Sequence, residues 1–199
     1  MSARTITIPP AAAQRGIALV TSLLLLIIIT ILALSMFRGF GIQEKIAGNL
    51  REKDRAVHAA ESAQQYGEWW LLQGNNSAVG AIACAAPTLN ANLGQGQICT
   101  QTPANAGINV TQVPATGWAL GVTYQPLNMS VTAGVNGPNG DPPYFATPGF
   151  YIADLGLAAD AAGEAYQIDA YGFGGAASTV AVVESTYEVQ QGVVNRGGL

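Results

Sequence analysis

The side chains best suited to nucleophilic or metal chemistry are few: one histidine, His58, and two cysteines, Cys84 and Cys99. A zinc site takes three or four His, Cys or acidic ligands, and two cysteines alone supply too little. His58 has no serine–acid set around it in the local sequence, so it reads as a surface or partly packed residue. Oxygen ligands are the other option. Asp141 lies in the loop 136–143, and Asp154, Asp160, Glu164 and Asp169 form a second acidic group. A hard cation such as calcium prefers several converging carboxylates, and turn chemistry accounts for isolated ones. There is no glycine-rich phosphate loop after a strand and no paired-cysteine metal motif. No catalytic residue, metal or cofactor is expected, and the chain does not read as an enzyme.

The elements that would carry these residues are unusual in composition. Charged residues make up 10% of the 199, against about 25% in an average soluble domain. Residues 1–55 carry a net +4, whereas residues 56–199 carry −8, with Arg196 the one basic residue among them. An acidic body of this kind repels phosphate backbones, which excludes nucleic acid as a partner.

Residues 16–37 contain no charge over 22 positions, about 33 Å as a helix, enough to span a bilayer core of about 30 Å. Their few polar residues, Thr21, Ser22, Thr30 and Ser35, can return hydroxyls to carbonyls one turn back. A cleaved secretory signal has a shorter apolar stretch of about 7–15 residues and then a small-x-small site, which Met36-Phe37-Arg38 does not offer. The apolar run is instead preceded by a short acid-free leader with Arg4 and Arg15 that ends in Gly16. Glycine before a scissile bond lets the backbone lie extended against a protease.

Past Phe37, apolar or small residues recur at Ile42, Ile46, Leu50, Val57, Ala60, Gly67 and Leu71, mostly three, four or seven apart. Helical periodicity of this kind predicts one helix over residues 17–72, about 84 Å long. Glu44, Lys45, Arg51, Glu52, Asp54 and Arg55 fall mainly on its other face. Gly39, Gly41 and Gly48 weaken it by about 1 kcal/mol each relative to alanine; they read as close packing against the body or as a segment that bends. Tyr66, Trp69 and Trp70 near its end read as core contacts.

The stretch Gln14-Arg15-Gly16-Ile17-Ala18-Leu19-Val20 resembles the class III leader junction of type IV pilins. Gln43-Glu44-Lys45-Ile46-Ala47-Gly48-Asn49 and Ala59-Ala60-Glu61-Ser62-Ala63 resemble the PilX-type minor pilins of type IV pilus assembly. The resemblance implies cleavage after Gly16 by a prepilin peptidase and N-methylation of Ile17. It implies a leader at 1–16, a transmembrane and filament-core helix at 17–37, an amphipathic helix at 38–72 and a globular body at 73–199. Other minor pilins, the major pilin and the peptidase are the implied partners, with a large tip adhesin as a further candidate. The inner membrane holds the chain before assembly, with the body periplasmic, and the pilus at the cell surface holds it afterwards. Twitching and adhesion are the processes implied. A pseudopilin at the tip of a type II secretion pseudopilus is an alternative, and a membrane-anchored periplasmic binding module or enzyme a second one.

Two departures from the family stand out. Most major pilins begin the mature chain with Phe and most carry Glu at its fifth position, where this chain would have Ile17 and Thr21. That glutamate is thought to neutralise the amino terminus of a neighbour in the filament core. Lacking it, the chain is expected at or near the tip, where it helps start assembly. The basic residues run against this topology. Arg38, Lys45, Arg51, Lys53 and Arg55 follow the apolar run, and only Arg4 and Arg15 precede it, so a literal positive-inside count favours the reverse orientation.

Residues 74–115 read as a long irregular connection. In an oxidising periplasm Cys84 and Cys99 would pair within it. Strands are predicted at 116–124, 150–155, 165–173 and 179–189. In the first, Trp118, Leu120, Val122 and Tyr124 share one parity. An antiparallel meander laid on the long helix gives an α+β, type IV pilin-like fold.

Overall fold

The computed structural model describes residues 15–74, 76–84, 88–90 and 97–190. The expected leader up to residue 14 and the tail from residue 191 lie outside these. One helix, α1, runs over Arg15–Leu72. The chain divides into two compact units at Gly48/Asn49. The first contains α1 to Gly48. The second contains the rest of α1 and the sheet.

α1 stops because Gly74 adopts a left-handed φ of +55°, a conformation that costs glycine little. Gln73 N–H and Asn76 Nδ2 both donate to Trp70 O, at 3.1 and 2.7 Å, and so satisfy a carbonyl the helix leaves open. A short 3-10 helix, Asn76–Val79, follows.

The sheet has five strands in sequential order: β1 Thr88–Asn90, β2 Leu120–Thr123, β3 Gly149–Leu157, β4 Gly163–Phe173 and β5 Val180–Gln190. From β2 to β5 every pairing is antiparallel. This is the expected meander on a helix, an α+β architecture. One strand is additional. β1 pairs in parallel with β2, so residues 74–115 are not wholly irregular. Three residues without a turn signal carry no period that a sequence pattern could register.

Small side chains set the distance between helix and sheet. Ala56, Ala59, Ala60 and Ala63 are fully or almost fully buried on one face of α1. Ala63 packs with Phe150, Ile152, Tyr166, Ile168 and Ala170 of β3 and β4, and with Leu71 and Ile98, whereas Ala56, Ala59 and Ala60 lie against Gly172 of β4. The opposite face of the sheet is also covered. Tyr151, Ala153, Tyr171 and Phe173 pack there with Cys84, Cys99, Ile108, Trp118 and Leu120. The body is therefore three layers: helix, sheet and a loop layer.

β2 does not keep the expected parity. Val122 and Tyr124 pack on the helix side, but Trp118 and Leu120 pack under the loops. Gly121 lies between them with φ +120°, and a Cβ there would stand 2.5 Å from Phe150 O. Its backbone conformation breaks the alternation, and only glycine fits.

Candidate functional site

In the first unit, every large apolar side chain from Ile17 to Phe37 is exposed, from 48% at Ile27 to 73% at Phe37. A helix apolar on all sides has no stable place in water and needs lipid or other helices around it. It is long and apolar enough to cross a membrane, with a mean hydropathy of 3.0 in its most apolar window. Three of its four hydroxyls bond back to the helix. Thr21 Oγ1 donates to Ile17 O or Ala18 O, at 3.0 and 3.1 Å. Ser22 bonds Leu19 O at 2.9 Å and Thr30 bonds Ile27 O at 2.8 Å.

The expected processing bond, Gly16–Ile17, lies in the first turn of α1. Thr21 sits one turn further on. A Cβ at Gly16, Gly41 or Gly48 would meet nothing within 4 Å. The close approaches of helix to sheet are instead at Gly67 and Gly172.

In the second unit, Cys84 and Cys99 form a disulfide with Cα atoms 5.3 Å apart. Cys99 continues the sheet. Its N–H bonds Ile152 O at 2.9 Å and its carbonyl accepts Asp154 N–H at 2.8 Å, on the β3 edge beyond the last pairing with β2. The disulfide thus fastens the chain at Cys84 to the sheet. Gln101 adds to the clasp, its side chain accepting Cys84 N–H and its carbonyl accepting Tyr151 Oη–H at 2.7 Å.

Arg55 is the busiest polar residue, and sequence reasoning placed it on the outer face. Its guanidinium reaches Glu52 Oε1 at 2.9 Å, donates to the carbonyls of Pro142 and Pro143, and lies 4.3 Å from the centre of the Tyr144 ring. Glu52 in turn accepts Gly175 N–H at 2.6 Å, at the β4–β5 turn. Burial raises the Glu52 carboxyl, but the Gly175 N–H and the Arg55 guanidinium together outweigh it and hold it below its usual range. Lys53 Nζ donates to Val180 O. Two of the five basic residues after the apolar run are therefore structural. The Glu52–Arg55 spacing of three is the one sequence signal for this cluster.

Tyr66 stacks on Tyr124 at 4.3 Å, and Trp70 packs on the same core. Trp69 is half exposed. His58 shares a shallow depression with Ser62, Asn128, Asp141 and Tyr144, which the local sequence does not reveal. Its Nδ1 lies 3.2 Å from Glu61 Oε2, and its ring is mostly in solvent. A serine hydrolase needs its histidine bonded to both serine and acid; the described contacts give His58 neither Ser62 nor Asp141 as a partner.

The acidic group disperses. Asp154 and Asp160 accept backbone N–H groups in turns, at 2.7 and 3.0 Å, and Glu164 accepts Tyr166 Oη–H at 2.8 Å. Among the described residues no three His, Cys, Asp or Glu converge on a metal position. Asp169 is the exception to solvation. It is 1% exposed, on the loop-layer face of β4, with Oδ2 bonded to Gln167 and Oδ1 without a partner. Burial, and then the charge of Glu184 across the strand pair, push it up to about 6. Tyr171 and Phe173, on its parity, were the signal that this face is covered.

Comparison with known families matches residues 15–64 to the PilX N-terminal model. Searches of curated proteins and of solved structures give no match. The matched segment begins at Arg15, beside the expected leader junction, and ends at Gln64 within α1, short of the sheet.

Proposed function

We propose that this chain, whose residues 15–64 match the PilX N-terminal model, is a minor pilin of the type IV pilus that helps to start assembly and sits at or near the tip. As a pilin it is a structural component, and its partners are other pilus components. The finer reading rests on Thr21, at the position where most major pilins carry a glutamate. Its hydroxyl is taken up by Ile17 O and Ala18 O and presents no charge to a neighbour.

In a filament core, two opposite charges attract strongly, and an unpaired buried charge is costly. A subunit with threonine at this position gains nothing from the amino terminus of a subunit already assembled. It loses nothing by going first. The bare apolar surface of residues 17–37 serves twice, in lipid before assembly and among other pilin helices after it. Cleavage after Gly16 leaves Ile17 as the amino terminus, four residues before Thr21.

Epitope-labelled protein on sheared pili tests the placement. Label confined to fibre ends is expected, and even label along the shaft would contradict it. In Thr21→Glu the missing carboxylate returns, and label is expected to spread into the shaft.

A further inference from the structure

β5 is the last strand of the sheet. Val180–Gln190 pairs with β4 through eleven consecutive positions without a bulge, an edge of about 36 Å. Outside that pairing, the described hydrogen bonds to its backbone amount to one, from Lys53 Nζ to Val180 O at its first residue. Folded proteins ordinarily blunt such an edge with proline, charged side chains, a bulge or a short strand. Of these β5 has only the charges of Glu184 and Glu188.

Its two faces differ. Val183, Tyr187 and Val189 are half-buried against the helix-side core, and Ser185 bonds Glu68 there at 3.0 Å. These residues form an apolar margin that one more strand would cover. On the other face Glu184, Thr186, Glu188 and Gln190 are exposed. Residues 56–190 hold no lysine or arginine, so the strands of the sheet themselves offer Glu184 and Glu188 neither.

We propose that the free edge of β5 docks an extended segment of a partner protein, added as a further strand, in which apolar residues alternate with basic ones. Backbone pairing supplies attraction, and alternate side chains supply selection. The apolar side chains continue the layer of Val183, Tyr187 and Val189. The basic ones stand beside Glu184 and Glu188. A second copy of this chain fits badly. Two β5 edges meeting antiparallel about Thr186 set each Glu184 opposite a Glu188, and like charges directly opposite repel. This docking goes beyond the placement proposed above and depends on neither leader cleavage nor Thr21.

The test uses the full chain in detergent micelles and a fluorescent eleven-residue peptide alternating valine and lysine. Two further peptides carry N-methyl groups on alternate backbone nitrogens, one in each phase, and a fourth has the same composition scrambled. Anisotropy is expected to show binding of the parent, with one N-methyl phase retained and the other weakened at least about tenfold. The scrambled peptide is expected to bind weakly. Glu184→Lys with Glu188→Lys is expected to reverse the preference toward a valine–glutamate peptide. No binding of the parent would overturn the proposal. So would equal binding of the scrambled peptide, an equal effect of both N-methyl phases, or dimerisation of the chain through β5.

Discussion

Gly172 of β4 lies so close to Ala60 of α1 that a Cβ at 172 would stand 2.4 Å from the Ala60 backbone nitrogen, and 2.6 Å from Ala56 O. Both neighbours are helix backbone and cannot rotate away. Gly172→Ala is therefore expected to destabilise the body by at least about 3 kcal/mol. At Gly67 the nearest atoms are side-chain ends of Ile168 and Phe150, at 3.2 Å. There the helix-propensity gain of about 1 kcal/mol offsets the crowding, and Gly67→Ala is expected to stay within about 1 kcal/mol of the parent. Denaturant unfolding followed by tryptophan fluorescence measures both.

Arg55→Ala removes the cation that holds Glu52, two proline carbonyls and the Tyr144 ring. A loss of about 1–2 kcal/mol is expected, since Arg55 leaves several bonds unmade but Glu52 is part-exposed and keeps the Gly175 N–H. Arg55→Lys restores charge but not the fork of donors, and recovers only part. Equal stability of all three proteins would show that the cluster is not structural.

Asp169 gives the body a pH dependence. Its carboxyl rises from 3.8 to about 6 on folding, so the folded state binds the proton more tightly than the unfolded chain. The stability it contributes is full below about pH 4, declines as pH rises to about 6, and is absent above. Glu52 has the opposite sign. Its lowered value contributes stability above the unfolded range that is lost as pH falls. Asp169→Asn is expected to flatten the decline between about pH 4 and pH 6 and to raise stability at pH 7.5 by about 2 kcal/mol. Melting curves across pH check this. An unchanged slope would contradict the buried-carboxylate account.

Cys84 and Cys99 are separated by 15 residues. Closing a loop of that length contributes about 3 kcal/mol by chain entropy. Cys84→Ser with Cys99→Ser is expected to lower stability by about that amount. The loss should fall on the loop layer first, read as faster amide exchange at Gln101 and Tyr151.

Much of this fold was legible because its signals are periodic. The uncharged run at 16–37 needs no context to be read. The strands containing Tyr166, Ile168 and Ala170 or Val183, Ser185 and Tyr187 announce themselves by alternation. What escaped depends on contacts remote in sequence. β1 is three residues whose existence is due to β2. Asp169 reads as solvated until the loop layer is placed over it. Arg55 reads as an outer-face charge until loop 142–144 and Gly175 arrive beside it. Gly121 reads as one more strand position, although its φ turns Trp118 and Leu120 to the other face. The processing residues Gly16 and Ile17 were chosen by motif, and their geometry adds only that they lie in the first turn of α1.

The central claim is that residues 17–37 enter the membrane as part of a prepilin and are then freed for assembly. Mass spectrometry of the chain recovered from cells with an active prepilin peptidase tests it most directly. A mature protein beginning at N-methylated Ile17 is predicted. A chain that keeps residues 1–16 under those conditions would contradict the account.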